Sequence, residues 1–135
     1  MVPEGLVVYT EDKNGERTEY KSTSEKVFDK PLVVLVNGNS ASASEIFAAA
    51  IQDHETGIIA GTKTYGKGVV QSIYDLKDGT CLKLTVSEYF TPKGRTIHKE
   101  GVNPDVVIEY QYDEKNPSRD NQIEKAVEII KEELK

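Results

Sequence analysis

Residues 31–71 read PLVVLVNGNSASASEIFAAAIQDHETGIIAGTKTYGKGVVQ. Residues 32–36 are a short apolar run rich in valine, which suits a buried strand. Asn37-Gly38-Asn39 ends it with turn chemistry. A helix is expected over residues 42–54, where Ile46, Ala49, Ala50 and Asp53 recur at helical spacing. A second apolar run at 57–60 leads into a glycine-punctuated loop, 61–68. The stretch therefore places a serine cluster at a helix N-terminus and a glycine-flanked lysine, Lys67, in the loop that follows.

Outward from this stretch the signals are strands and turns. Before it, residues 6–10 are β-branched and aromatic, and 17–21 are the return strand across Asn14-Gly15, a strong hairpin signal. Residues 22–30 are polar and read as a loop. After it, 69–76 read as a strand, and Asp78-Gly79 forms a second hairpin turn. Leu82, Leu84 and Val86 alternate with Cys81, Lys83 and Thr85, the pattern of a half-buried strand that continues towards Phe90. Residues 91–95 read as a turn, with 96–98 pairing back. A further turn at 101–105 leads to a strand at 106–110. Residues 111–119 are a polar linker. Ile123, Ala126, Val127, Ile130 and Leu134 then mark a closing amphipathic helix, capped by Ser118 or Asp120. Strands on both sides of one central helix, with hairpins around them, give a mixed α/β fold.

Composition narrows the function classes. The 135 residues suit one domain or a piece of one. Seventeen basic against 23 acidic residues leave a net charge of −6 and no basic stripe, which argues against a nucleic-acid partner. The single cysteine, Cys81, forms no internal disulfide and reads as a strand residue. No apolar run approaches the ~18 residues of a membrane span, and no leader pattern opens the chain. No His, Cys, Asp or Glu pair has metal-ligand spacing, so no metal or other cofactor is expected.

The serines at the helix start support two readings. Ser42-Ala43-Ser44-Glu45 matches a capping box, a structural role. The same position surrounds a serine with free amides and the positive end of a helix dipole, which suits a nucleophile whose oxyanion those amides hold. Small neighbours, Ala41 and Ala43, leave room for a substrate backbone. A nucleophile needs a base. His54 lies at the far end of the helix, ~18 Å away at 1.5 Å per residue, and reads as a solvated helix-end residue. His98 lies in a turn-rich region. Lys67 is the better candidate, because lysine serves as base in Ser-Lys enzymes. That chemistry needs a neutral amine, which apolar surroundings such as Ile58, Ile59, Val69 and Val70 favour. In an extended segment Lys67, Val69 and Gln71 share a face, so Gln71 can hold the amine without adding charge. The alternatives, a solvated loop lysine and a surface strand glutamine, stay open on the residues alone.

Gly61-x-x-x-x-Gly66-Lys67 also begins like a phosphate-binding loop. That motif requires Ser or Thr next and a helix after it. Here Gly68 and a strand-like run follow, so nucleotide binding is rejected.

Residues 34–45 and 61–71, taken with Leu82-Lys83-Leu84-Thr85, Tyr89-Phe90-Thr91-Pro92-Lys93-Gly94-Arg95 and Gly101-Val102-Asn103-Pro104-Asp105, closely resemble the C-terminal processing proteases, also called tail-specific proteases. The opening Pro3-Glu4-Gly5-Leu6-Val7-Val8-Tyr9 fits the same catalytic domain, so the resemblance covers about residues 3–110. It implies a ClpP/crotonase-like α/β core and a serine endopeptidase that cleaves proteins near their C-termini. By motif position the nucleophile falls on Ser42, the base on Lys67, the assisting glutamine on Gln71 and one oxyanion amide on Ala43. The resemblance further implies that residues 1–135 are the C-terminal part of the catalytic domain. The PDZ domain and an upstream segment with a second oxyanion amide would lie outside them, leaving sheet edges open to self-association and this piece inactive on its own. It also implies an exported or membrane-anchored parent. The competing expectations are a non-catalytic peptide-binding or assembly module with the same fold, and an amidase using a Ser-Lys pair.

Overall fold

The computed structural model describes residues 1–23 and 28–135, so part of the expected 22–30 loop lies outside the described residues. Its first hairpin joins β1 (Gly5–Asp12) to β2 (Arg17–Ser22). The Asp12 carboxylate accepts from the Asn14 and Glu16 amides at 2.8 and 2.9 Å, which closes the turn. The 61–68 loop leads into β5 (Val69–Asp75), which is paired with β6 (Cys81–Phe90) across the second hairpin. These four strands form an antiparallel sheet in the order β2-β1-β6-β5. Tyr9 stacks on Phe90 with ring centroids 5.0 Å apart, and the Arg17 guanidinium lies 3.6 Å above the Tyr9 ring.

A second sheet is parallel. β3 (Val33–Val36) pairs with β4 (Ile58–Gly61), and β4 with β7 (Val106–Val107). Parallel neighbours need a crossover. Helix α1 (Ala43–Asp53) provides it between β3 and β4. One flank of α1, with Ala48 and Ile51, packs on Val36 and Ile59 of this sheet. Another, with Ala49, packs on Ile97 and Val102. Its alanines let both layers approach closely. Ile51, Ile59 and Ile97 are essentially inaccessible to water, each contributing ~1.5–3 kcal/mol by burial. Helix α2 (Asn121–Glu133) lies against β3 and β4 through Ala126 and Ile129. Asp120 is its cap, accepting from the Gln122 and Ile123 amides at 2.8 and 3.0 Å.

Three local readings change. β7 stops at Val107; beyond it the Gln122 and Asn121 side-chain amides donate to the carbonyls of Ile108 and Glu109. Leu82 and Leu84 of β6 are exposed, as are Cys81, Lys83 and Thr85, so neither face of this stretch is buried. β1 pairs only with Ser87 through Phe90, so the β5–β6 hairpin projects beyond the sheet and nothing among the described residues covers it. His54 is not simply solvated; its Nε2 lies 2.7 Å from the Leu6 carbonyl and ties the end of α1 to β1.

Candidate active site

The site forms at the N-terminus of α1, beside the 61–68 loop that links β4 to β5. β3 ends at Val36, and a turn held by Ser40 brings the chain round. The Ser40 hydroxyl accepts from the Asn37 amide at 3.1 Å, so this serine is spent on the turn. Ser42 then sits at the N-cap of α1 with φ 56° and ψ −115°. A side chain at positive φ is strained, at a cost of about 1–3 kcal/mol, and such strain concentrates at functional positions. Of the three alternating serines, only Ser42 has this geometry. The next amide, that of Ala43, belongs to the first helical residue, which has no intrahelical acceptor. Nothing among the described residues accepts from it, so it is available to an oxyanion.

The side chain that organises the site is Glu45, which the sequence marked only as a capping-box partner. It is fully buried. Its Oε2 accepts from the Ser42 amide and from the Lys67 amide, each at 2.9 Å. Its Oε1 accepts from the Gly66 amide at 2.7 Å and from the Thr64 hydroxyl at 2.5 Å. The amide nitrogens of Ser42 and Lys67 therefore sit on one oxygen, no farther apart than two hydrogen bonds laid end to end. Thr64 Oγ1 also accepts from the Val102 amide at 2.7 Å, which anchors the loop to the core. A buried carboxylate is tolerated here because four donors and the positive end of α1 surround it.

Further contacts fix the 61–68 loop. The Tyr65 amide donates to the Ser40 carbonyl at 3.0 Å, and the Lys99 amide donates to the Gly66 carbonyl at 2.9 Å. A Cβ on Gly68 would meet the His98 nitrogen at 2.3 Å, so backbone lies directly on backbone there and only glycine fits. The Lys67 side chain is exposed and makes no ion pair or hydrogen bond among the described residues. Gln71 lies on β5, also exposed, and its amide makes no hydrogen bond to Lys67. The structure thus joins the backbones of Ser42 and Lys67 and leaves Gln71 apart. The run after Gly66-Lys67 is strand β5, which fits the rejection of a phosphate-binding loop.

A recess of about 440 Å³ flanks the helix start, lined by Val34, Leu35, Val36, Ser40, Ala43, Ser44 and Phe47. A larger cleft of about 830 Å³ lies at the other end of α1. Neither lining includes Ser42, Lys67 or Gln71; the smaller, apolar recess adjoins Ser42 in sequence through Ala43.

The sequence profile of peptidase family S41 matches residues 1–108. The chain belongs to peptidase family S41. This family of serine peptidases acts on protein chains, and its mixed sheet and helix architecture is the one observed here. Similar sequences include a carboxyl-terminal-processing protease of Synechocystis, 45% identical over 108 residues, covering 80% of this chain and 25% of that protein. A chloroplastic C-terminal processing peptidase of Tetradesmus obliquus is 44% identical over 110 residues, 81% of this chain and 24% of that one. Among solved structures, a photosystem II D1 C-terminal processing protease superposes with a TM-score of 0.76 at 44% identity, covering 81% of this chain and 28% of the other. The tricorn protease, at 23% identity and a TM-score of 0.59 over 93% of this chain and 12% of the other, shares the fold. This chain spans about a quarter of the length of the curated relatives it matches.

Proposed function

We propose that this chain is the C-terminal part of the catalytic domain of a serine endopeptidase that cleaves proteins near their C-termini. The PDZ domain and an upstream catalytic segment then lie outside it. Ser42 Oγ attacks the scissile carbonyl. The Lys67 amine takes the hydroxyl proton and passes it to the leaving amine as the peptide C–N bond breaks. Gln71 positions Lys67 once substrate closes the site, and the Ala43 amide holds the oxyanion. Water then hydrolyses the acyl-Ser42 ester, with Lys67 as base. The supporting observation is the Glu45 oxygen shared by the Ser42 and Lys67 amides.

The test is labelling of Ser42 by a fluorophosphonate, paired with cleavage of an unfolded protein whose C-terminus is free or amidated. Labelling with preference for the free carboxylate supports the reading. No labelling of Ser42 in a protein that also contains the upstream segment overturns it and leaves the binding or assembly module. Turnover of small amides alone points to the amidase.

The names of the chloroplastic relatives support a parent that acts outside the cytoplasm. No helix among the described residues is long and apolar enough to cross a membrane. Self-association would run through the uncharged edge of β3, and a light-scattering mass that does not change with concentration would contradict it.

A further inference from the structure

We infer that the free edge of β5 is where an extended polypeptide substrate lies; the inference rests on the endopeptidase reading. β5 is the last strand of the antiparallel sheet, with β6 on one side and no strand on the other among the described residues. Its hydrogen-bonding phase follows from its two ends. The Gly68 carbonyl accepts from the Tyr89 amide at 2.8 Å, and the Leu76 amide donates to the Thr80 carbonyl at 2.8 Å. Backbone groups of an antiparallel strand face alternate sides. Val70, Ser72 and Tyr74 therefore face β6, while Val69, Gln71 and Ile73 present their N–H and C=O outwards. The register shift between Val70 and Gln71 puts the extra residue, Val86, on β6, so the alternation along β5 is unbroken.

The opposite edge of the same sheet shows what a guarded edge looks like. β2 carries Arg17, Glu19 and Lys21, linked by ion pairs of 2.7 and 2.8 Å. Charges of this kind discourage strand addition. β5 has none from Val69 through Tyr74, and Ile73 is 64% exposed beside the outward backbone. The unguarded edge also starts next to the proposed chemistry. Val69 is two residues from Lys67, roughly 7 Å along an extended chain, and the Lys67 amide shares Glu45 Oε2 with that of Ser42. A polypeptide added to this edge gains main-chain hydrogen bonds whatever its sequence. It is thereby led to the nucleophile.

The experiment is residue-resolved amide exchange by NMR on the Ser42→Ala protein, with and without an unstructured peptide ending Val-Ala-Ala. A second peptide carries ester linkages in place of alternate amides. We expect exchange at Val69, Gln71 and Ile73 to slow on binding and at Ser72 and Tyr74 to stay as it was. The ester peptide should bind about tenfold more weakly, the loss of one to two net hydrogen bonds. Binding that leaves the outward amides exchanging freely overturns the inference, as does absence of binding. Slowing that grows with protein concentration without peptide also overturns it and names a second copy as occupant. Fluorophosphonate labelling of Ser42 in the unmutated protein reads the reaction separately. Labelling with unprotected edge amides removes this inference alone.

Discussion

Helix α1 has a buried carboxylate near each end, and the two do different work. Asp53, at the C-terminal end, accepts from the Lys93 amide at 2.8 Å and pairs with the Arg95 guanidinium. It clamps the 91–95 turn against the helix with a cation. Glu45, at the N-terminal end, also clamps a loop, but all four of its donors are neutral. An ion pair holds a turn with tolerance for small shifts. A carboxylate shared among three backbone amides and a hydroxyl fixes positions, because each donor lies on a different segment or residue and none can swing. The N-terminal clamp is expected to set geometry and the C-terminal clamp to supply stability.

Glu45→Gln is the sharpest way to break this contrast. Its amide would present donors to donors, and a displacement near 1 Å at a reacting group costs about a hundredfold in rate. We expect kcat for polypeptide cleavage to fall by about that factor with KM little changed. An equal fall for Asp53→Asn would erase the distinction. Asp53→Asn should instead leave kcat near wild type and lower stability by about 1–3 kcal/mol, measured by denaturant unfolding, since donors around it lose a charged acceptor.

A smaller effect tests the strain at the proposed nucleophile. Ser42→Gly and Ser42→Ala should both be inactive, yet the glycine variant should be the more stable by about 1 kcal/mol, because only alanine retains a Cβ at φ 56°. Equal stability would mean that the turn is unstrained.

The smallest effect is in pH. Burial pushes the Asp53 carboxyl up, but hydrogen bonds from Thr91, the Lys93 amide and Arg95 outweigh it and hold the group below its ordinary 3.8. A carboxyl lowered on folding stabilises the protein above its unfolded pKa. That contribution is lost as pH falls from 3.8 through the lower folded value. Acid unfolding of Asp53→Asn should be shallower than wild type in that window; identical slopes would count against the clamp.

Much of this was legible in residues 31–71. The valine-rich run, the Asn-Gly break, the alanine-rich helix and the glycine loop are local signals, and β3, α1, β4 and β5 fall where they predict. The Ser42 turn was legible as a cap, and the resemblance carried its chemical role. What was not legible depends on distant partners. Glu45 reads as a capping residue until Thr64, Gly66 and Lys67 arrive from the loop. Beyond the end of β7, the next two carbonyls accept from two side-chain amides on α2. The open face of Leu82 and Leu84 follows from where β1 stops, since alternation reports a face but not what covers it.

Lys67 is proposed to activate Ser42. The direct measurement is the rate of Ser42 labelling by a fluorophosphonate across pH, for wild type and Lys67→Ala, in a protein that contains the whole catalytic domain. The variant should label at least about a hundredfold more slowly and lose the rise with pH that reports a base. Labelling of both proteins at the same rate would contradict this role for Lys67.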